Sequence, residues 1–239
     1  MCQAVFFDID NTLLFKQPSI SEKVFEIVSA HTPDVEREAV ERAYAASELW
    51  QGQQIMKENE TGVRMPDEEY IAHVAGVYGR ILKLESSVVQ ELAEKFTQGY
   101  ENQYILAPDA LEILERLRES GMHLGIVSNN HRKVRNVLEE MGIAHFFDPV
   151  IISEEAELYK PDAAIMELAC ERIGTEPSKC IYVGDHPFDI LCAHAAHMPV
   201  IWLPVNEFME VPDSIGAPEY TAASLKDAMN YIINENKKG

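Results

Sequence analysis

Basic residues are scarce in this chain. Twenty Lys and Arg stand against forty Asp and Glu, a formal net charge of -20, and no basic stripe gathers the few cations into a patch. Such a surface repels phosphate backbones and excludes polymeric nucleic acid as a partner. An anionic small molecule must instead be drawn in by a local positive site. Cysteine is sparse as well: Cys2, Cys170, Cys180 and Cys192 form no C-x-x-C pair and none of the Cys/His spacings of structural zinc. They read as small apolar residues in a reducing compartment. No stretch reaches ~18 consecutive apolar residues, and no charged segment followed by an apolar one precedes the first strand. A membrane span is therefore not expected, and the expected location is cytoplasmic. Internal repeats and low-complexity tracts are missing too, which leaves the tail "NENKKG" as the stretch expected to be disordered.

What is present is ordinary for a globular protein: 239 residues, 46% hydrophobic and 25% charged, enough for a real core in one domain or two. From residue 107 onward, short β-rich runs alternate with amphipathic segments. The runs are "HLGIVSN" (123–129), "PVIIS" (149–153), "CIYVGD" (180–185) and "PVIWL" (199–203). Between them lie "HRKVRNVLEEMG", "PDAAIMELACERIG" and "PFDILCAHAAHM", with Gly142 and Gly174 at helix C-cap positions. Val/Ile-rich strands separated by helices imply a parallel sheet covered on both faces. The expected fold class is α/β, with a Rossmann-like core.

The first run, "AVFFDID", belongs to that sheet by type, yet no comparable strand follows it for about a hundred residues. The gap is filled by helical patterns. "DEEYIAHVAGVYGRILKL" puts Tyr70, Ile71, Val74, Val77, Tyr78, Ile81 and Leu82 on one face, and "SSVVQELAEKFTQGY" does the same with Val88, Val89, Leu92, Phe96 and Tyr100. "PSISEKVFEIVSA" and "VEREAVERAYAASELW" are the earlier helices of the insertion, and "NETGVRMP" (59–66) is a loop. The expected organisation is a core of residues 1–15 and 103–239 with a helical cap at 16–102, opening to admit substrate and closing to exclude water.

In a parallel α/β sheet, ligand sites form at the carboxyl ends of the strands. Asp8 and Asp10 end the first run, Ser128 and Asn129 the second, and Asp185 the fourth, with Asp189 just inside the next helix. Lys160 precedes Pro161 at the start of the helix after "PVIIS". Four carboxylates in one place repel one another unless a cation holds them, and an all-oxygen set prefers a hard ion, which makes magnesium the expected cofactor. Magnesium beside a lysine and a helix N-terminus suits a phosphate. Of the paired aspartates on the first strand, one can attack phosphorus while the other handles protons.

These residues carry a resemblance. The chain resembles a haloacid dehalogenase superfamily hydrolase, of the branch with a helical cap inserted after the first strand. The motif Asp-x-Asp-x-Thr is matched by Asp8, Asp10 and Thr12; the Ser/Thr of the second strand by Ser128; the lysine by Lys160 in "LYKPD"; and the acidic fourth motif by Asp185 and Asp189 in "GDHPFD". The resemblance implies a nucleophilic, metal-binding Asp8 and an Asp10 that serves as general acid/base and offers its backbone carbonyl to the metal. Thr12 is implied to position these groups, and Ser128 and the amide of Asn129 to hold phosphate oxygens. Lys160 is implied to offset charge, Asp185 to bind magnesium directly, and Asp189 to act through water or from behind the ligands. Asn11 stands where many relatives have glycine. The second aspartate is the informative departure from the dehalogenases that named the family, which lack it because displacing halide needs no proton donor.

The implied activity is a magnesium-dependent phosphatase acting on a small phosphorylated metabolite, a nucleotide, sugar phosphate or short acid phosphate. A phosphomutase on the same core and a phospho-accepting aspartate switch are the alternatives. His186, His194 and His197 match no zinc spacing, and Trp50, Tyr44, Tyr100 and Tyr104 read first as packing residues. Oligomeric state leaves no mark on the sequence.

Overall fold

The computed structural model describes residues 2–99 and 103–237, so Tyr100 and the end of the "NENKKG" tail lie outside the described residues. In chain order the elements are β1 (Ala4–Phe7), β2 (Leu14–Gln17), α1 (Ile20–His31), α2 (Arg37–Thr61), α3 (Asp67–Leu82), α4 (Ser86–Gln98) and β3 (Gln103–Leu106). There follow α5 (Ala110–Glu119), β4 (His123–Ser128), α6 (Val134–Glu140), β5 (Val150–Ile152), α7 (Ser153–Ala156) and α8 (Ala164–Ile173). The chain ends with β6 (Cys180–Gly184), α9 (Pro187–Ala195), β7 (Val200–Trp202), β8 (Tyr220–Thr221) and α10 (Leu225–Asn236).

The chain divides into two compact units. The first comprises Met1–Phe15, Tyr104–Val205 and Val211–Gly239, the second Lys16–Gln103 and Asn206–Glu210. In the first unit, six strands run in the order β5-β4-β1-β6-β7-β8 with every described pairing parallel. The α/β, Rossmann-like class is thereby observed. The sheet is buried on both faces, as parallel sheets require. Val5 and Phe7 of β1 pack with Ile113, Leu114 and Leu117 of α5 and Ile232 of α10. On alternate positions, Ala4, Phe6 and Tyr182 are fully buried. Close packing tolerates no side chain at Gly125, where an added Cβ would lie 2.7 Å from the Phe6 ring.

After β1 the strand order extends one way through β4 and β5, then restarts on the other side with β6 and β7. The reversal opens a crevice beside β1 at the carboxyl ends of the strands, where ligands of open α/β sheets bind.

The second unit is helical. Ser19 caps α1 with a full capping box to Glu22. α2 is longer than its apolar pattern suggests, running on from Trp50 to Thr61, so that Asn59, Glu60 and Thr61 are helical and the expected loop is confined to 62–66. On α3, Val77 and Tyr78 are buried, but Ile81 is 40% exposed and Ala75 takes a place on the packed face. Trp50 stacks on His73 with ring centroids 5.4 Å apart, and Tyr78 meets Phe96 at 5.9 Å. Residues 206–210 join this unit from far along the chain. Asn206 donates to a side-chain oxygen of Glu41 at 3.1 Å, and the Arg42 guanidinium lies 4.1 Å from the centre of the Phe208 ring.

The short strands β2 and β3 pair with each other, an element the sequence patterning does not reveal. α10 carries Asn234–Asn236 in helix, contrary to the expected disorder there; Asn236 Oδ1 accepts the Cys2 N–H at 2.8 Å. No helix among the described residues is long and apolar enough to cross a membrane.

Candidate active site

The first unit gathers the polar residues from the strand ends. Phe7 pairs with Ile126 of β4 and Val183 of β6, so Asp8, Ser128 and Asp185 leave three neighbouring strands at the same edge. The Asp8 N–H donates to Val183 O at 2.9 Å, keeping the ladder intact up to the acid. Immediately beyond, the chain turns tightly, with the N–H groups of Thr12, Leu13 and Leu14 all donating to Ile9 O. The turn requires a left-handed residue at position 11, where Asn11 has φ 56°. Asparagine is among the few side chains that adopt this conformation readily, which explains why it can stand where glycine is common.

Lys160 is the hub of the site. It is 5% exposed, and its Nζ lies 2.7 Å from Asp189 Oδ1, 2.9 Å from Asp8 Oδ2 and 2.9 Å from Tyr182 Oη. Tyr182 in turn donates to Val127 O at 2.7 Å, so its hydroxyl accepts from the lysine. Burial alone would push the ammonium down, but the carboxylates of Asp189 and Asp8 more than offset that and hold Lys160 above the usual lysine value. Burial lifts the Asp189 carboxyl, Lys160 opposes that lift and Asp8 adds to it. At 2.7 Å the two groups form an ion pair. Burial and the neighbouring Asp189 and Asp8 charges raise Tyr182, keeping the phenol neutral.

Carboxylate oxygens of Asp8, Asp185 and Asp189 lie within 4.8 Å of one another. Asp10 is not in that cluster; its Oδ2 accepts from Asn130 Nδ2 at 3.2 Å. Asp185 Oδ2 accepts from Asn11 Nδ2 at 3.2 Å, and its backbone carbonyl accepts the Trp202 indole N–H at 2.7 Å. Both oxygens of Asp189 are engaged, one by Lys160 and the other by the His186 N–H at 3.0 Å. The α9 N-cap is His186: its ring Nδ1 accepts the Phe188 N–H at 3.1 Å, and Asp189 completes the box.

Lys160 does not begin a helix, since α8 starts only at Ala164. A clamp holds it in its turn instead. The side chain of Asn129 accepts the Lys160 N–H at 2.8 Å and donates to Lys160 O at 3.0 Å. Ser128 and Thr12 are 1% and 2% exposed, and Thr12 Oγ1 has no hydrogen-bond partner among the described residues. Sequence patterning misses Tyr182, Asn130 and Trp202.

A parallel sheet with acids and a buried lysine gathered at its carboxyl edge defines an enzyme of the α/β class. The family model for haloacid dehalogenase-like hydrolases matches residues 2–197, and the chain belongs to that family. It is similar to the phosphoglycolate phosphatase of Haemophilus influenzae (strain 86-028NP), 32% identical over 142 residues that cover 57% of this chain and 63% of that protein. The chain thus spans less than two thirds of that relative. It is also similar to an (S)-2-haloacid dehalogenase of Pseudomonas fluorescens, 24% identical over 97% of both chains. Among solved structures, a predicted phosphoglycolate phosphatase from Haemophilus somnus 129pt superposes with a TM-score of 0.65 at 20% identity, covering 97% of this chain and 98% of that one. The L-2-haloacid dehalogenase RSc1362 does so with 0.67 at 18%, again over 97% and 98%. At these identities the superpositions speak for the fold alone.

Proposed function

We propose that the chain is a magnesium-dependent phosphatase that hydrolyses a small phosphate monoester through an aspartyl phosphate on Asp8. The observation that carries this reading is the charge of the cluster: three carboxylates within 4.8 Å face one ammonium, leaving a surplus of two negative charges in a buried site. A divalent ion is the natural complement, and an all-oxygen donor set suits magnesium. Asp185 and Asp8 would hold it directly, together with the backbone carbonyl of Asp10, and Asp189 would act from behind through Lys160 and His186. When bound, the ion would neutralise the cluster and the oxygens of the incoming phosphate.

The protein's own groups account for the remaining steps. Lys160 holds Asp8 Oδ2 in place at 2.9 Å and lowers the charge that an anionic phosphate would meet. Ser128 and the backbone amide of Asn129 would receive phosphate oxygens, with Thr12 steadying the turn. Asp10 supplies the proton that an alcohol leaving group needs, and takes one from the water that frees Asp8. That second aspartate separates this reading from carbon-halogen cleavage, although both activities occur among the relatives. We assign residues 1–15 and 103–239 to the catalytic core and 16–102 to a cap that selects the leaving group.

Substrates of the size of phosphoglycolate, glyceraldehyde 3-phosphate or ribulose 1,5-bisphosphate, the compounds named for relatives at 32%, 32% and 26% identity, head the panel to be tested. The experiment is phosphate release from such a panel with magnesium and with chelator, for the parent and Asp8→Asn. Turnover that requires magnesium and disappears in Asp8→Asn supports the reading. An Asp8→Asn protein as fast as the parent overturns it, and an isomeric product without free phosphate points to a phosphomutase.

A further inference from the structure

The loop after β4 contains a second asparagine, Asn130, whose side chain is fixed at both ends. Its Oδ1 accepts the His131 N–H at 2.9 Å, and its Nδ2 donates to Asp10 Oδ2 at 3.2 Å. The first bond decides the second, because a flipped amide would turn its N–H groups against the His131 N–H. The backbone of Asn130 is fixed as well. Ser153, 2% exposed at the start of α7, accepts the Asn130 N–H at 3.0 Å and donates from the same hydroxyl to Asn130 O at 3.3 Å. A connected path therefore runs from the end of β5, through Ser153 and Asn130, to one oxygen of Asp10.

We propose that Asn130 is a positioning residue for Asp10. Its amide, donating to Oδ2, holds the Asp10 carboxyl in one orientation for proton transfer. This inference rests on the reading of Asp8 as nucleophile and Asp10 as acid/base. In the first half-reaction the bond from phosphorus to the substrate oxygen breaks as the bond to Asp8 forms, and the proton on the Asp10 carboxyl passes to the leaving alkoxide. In the second, water attacks phosphorus and gives a proton back to the Asp10 carboxylate. The Asp8–phosphorus bond breaks, restoring the carboxylate and releasing phosphate. A carboxyl free to rotate would offer its proton in the wrong direction for part of the time, and such misplacement is expensive in rate.

The test exploits leaving groups that differ in their need for a proton. Nitrophenolate departs unprotonated, whereas an alkoxide does not. Asn130→Leu keeps the approximate shape and removes the hydrogen bonds. Its first-turnover cleavage of an alkyl phosphate should fall about 100-fold, the lower end of what a positioned general acid contributes, while first-turnover release from p-nitrophenyl phosphate stays close to the parent's. Because hydrolysis of the aspartyl phosphate also needs Asp10, the variant should show a burst of nitrophenolate followed by slow turnover. Ser153→Ala, which loosens the backbone clamp, should show the same pattern more weakly, and it serves as the test if melting or circular dichroism finds Asn130→Leu unfolded. Equal slowing with both leaving groups, or no change with either, overturns the assignment. Asp10→Asn run alongside separates the two levels. If it shows the leaving-group signature and Asn130→Leu does not, only the role of Asn130 falls. If Asp10→Asn slows both substrates alike, the acid/base reading falls and this inference with it.

Discussion

Lys160 and Asp189 are joined by an ion pair of 2.7 Å with both side chains nearly sealed from water, at 6% and 2% exposure. The pair is not an isolated bridge, because the same ammonium also meets Asp8 and the Tyr182 hydroxyl. Breaking a buried pair by removing one partner leaves an uncompensated charge, and such losses run to about 3–5 kcal/mol. Lys160→Met should therefore unfold at markedly lower denaturant concentration than the parent and lose phosphatase activity. The destabilisation should be greatest in chelator. Magnesium should restore part of it, since the variant's cluster has even more negative charge to neutralise. Denaturant titrations with and without magnesium check both points.

Asp185 and Asp189 should differ in their effect on the metal. Asp185 is not the helix cap and its carboxylate contacts a neutral amide, Asn11 Nδ2. Both oxygens of Asp189 are already bound by Lys160 and the His186 N–H. Asp185→Asn should abolish magnesium binding measured by calorimetry, with the metal alone as titrant. It should also erase magnesium's stabilisation of the fold, which at a hundredfold excess over Kd amounts to about 2.7 kcal/mol. Asp189→Asn should bind magnesium more weakly than the parent but still measurably, and should lose stability because Lys160 is left with one carboxylate. The opposite ranking would mean that Asp189 is the direct ligand.

Much of this site is legible in the sequence because parallel α/β topology brings strand ends together. Asp8, Ser128 and Asp185 need only the strand boundaries to be grouped. Tyr182 is not legible in that way. It lies inside a fully buried strand, and nothing local tells a tyrosine that fills core from one whose hydroxyl links Lys160 to Val127 O. The side-chain clamp of Asn129 on Lys160, and the whole role of Asn130, are not legible either, since their partners Lys160, Asp10 and Ser153 are remote in sequence. The length of α2 escapes a search for apolar periodicity for a related reason. Its second half is supported by polar pairs one turn apart, Gln51 with Glu48 and Gln54 with Glu58, instead of an apolar stripe. The ribbon of β2 and β3 is two four-residue strands far apart in sequence, too short for alternation to register.

Gly184 should be intolerant of even one methyl group. A Cβ there would press into the Asp189 carboxylate and lie 2.7 Å from its Cγ and 2.9 Å from the Tyr182 ring. Neither neighbour can yield without disturbing Lys160. Gly184→Ala should cost about 1–3 kcal/mol of stability, as overpacking does, and lower kcat by displacing Asp189. Gly142→Ala is the control. A Cβ at Gly142 would meet nothing within 4 Å, but the backbone there has a φ of 72°, so the cost should appear in stability without a comparable loss of kcat.

The alkaline limb of stability should depend on Cys2. Burial raises its thiol from 9.0 to about 11. A folded-state value above the unfolded one means that the folded chain holds the proton more tightly. The contribution is therefore fully present below pH 9 and is lost as pH rises toward 11, where the unfolded thiol ionises and the folded one resists. Each unit of difference corresponds to about 1.4 kcal/mol, and partial exposure of Cys2 reduces the total to about 1–2 kcal/mol. Urea titrations at pH 8 and pH 11 should show the parent losing this much more than Cys2→Ala, which has no thiol to titrate. Equal losses in the two proteins would assign the alkaline limb to the other buried thiols and phenols, among which Cys180, Cys192 and Tyr182 are also raised.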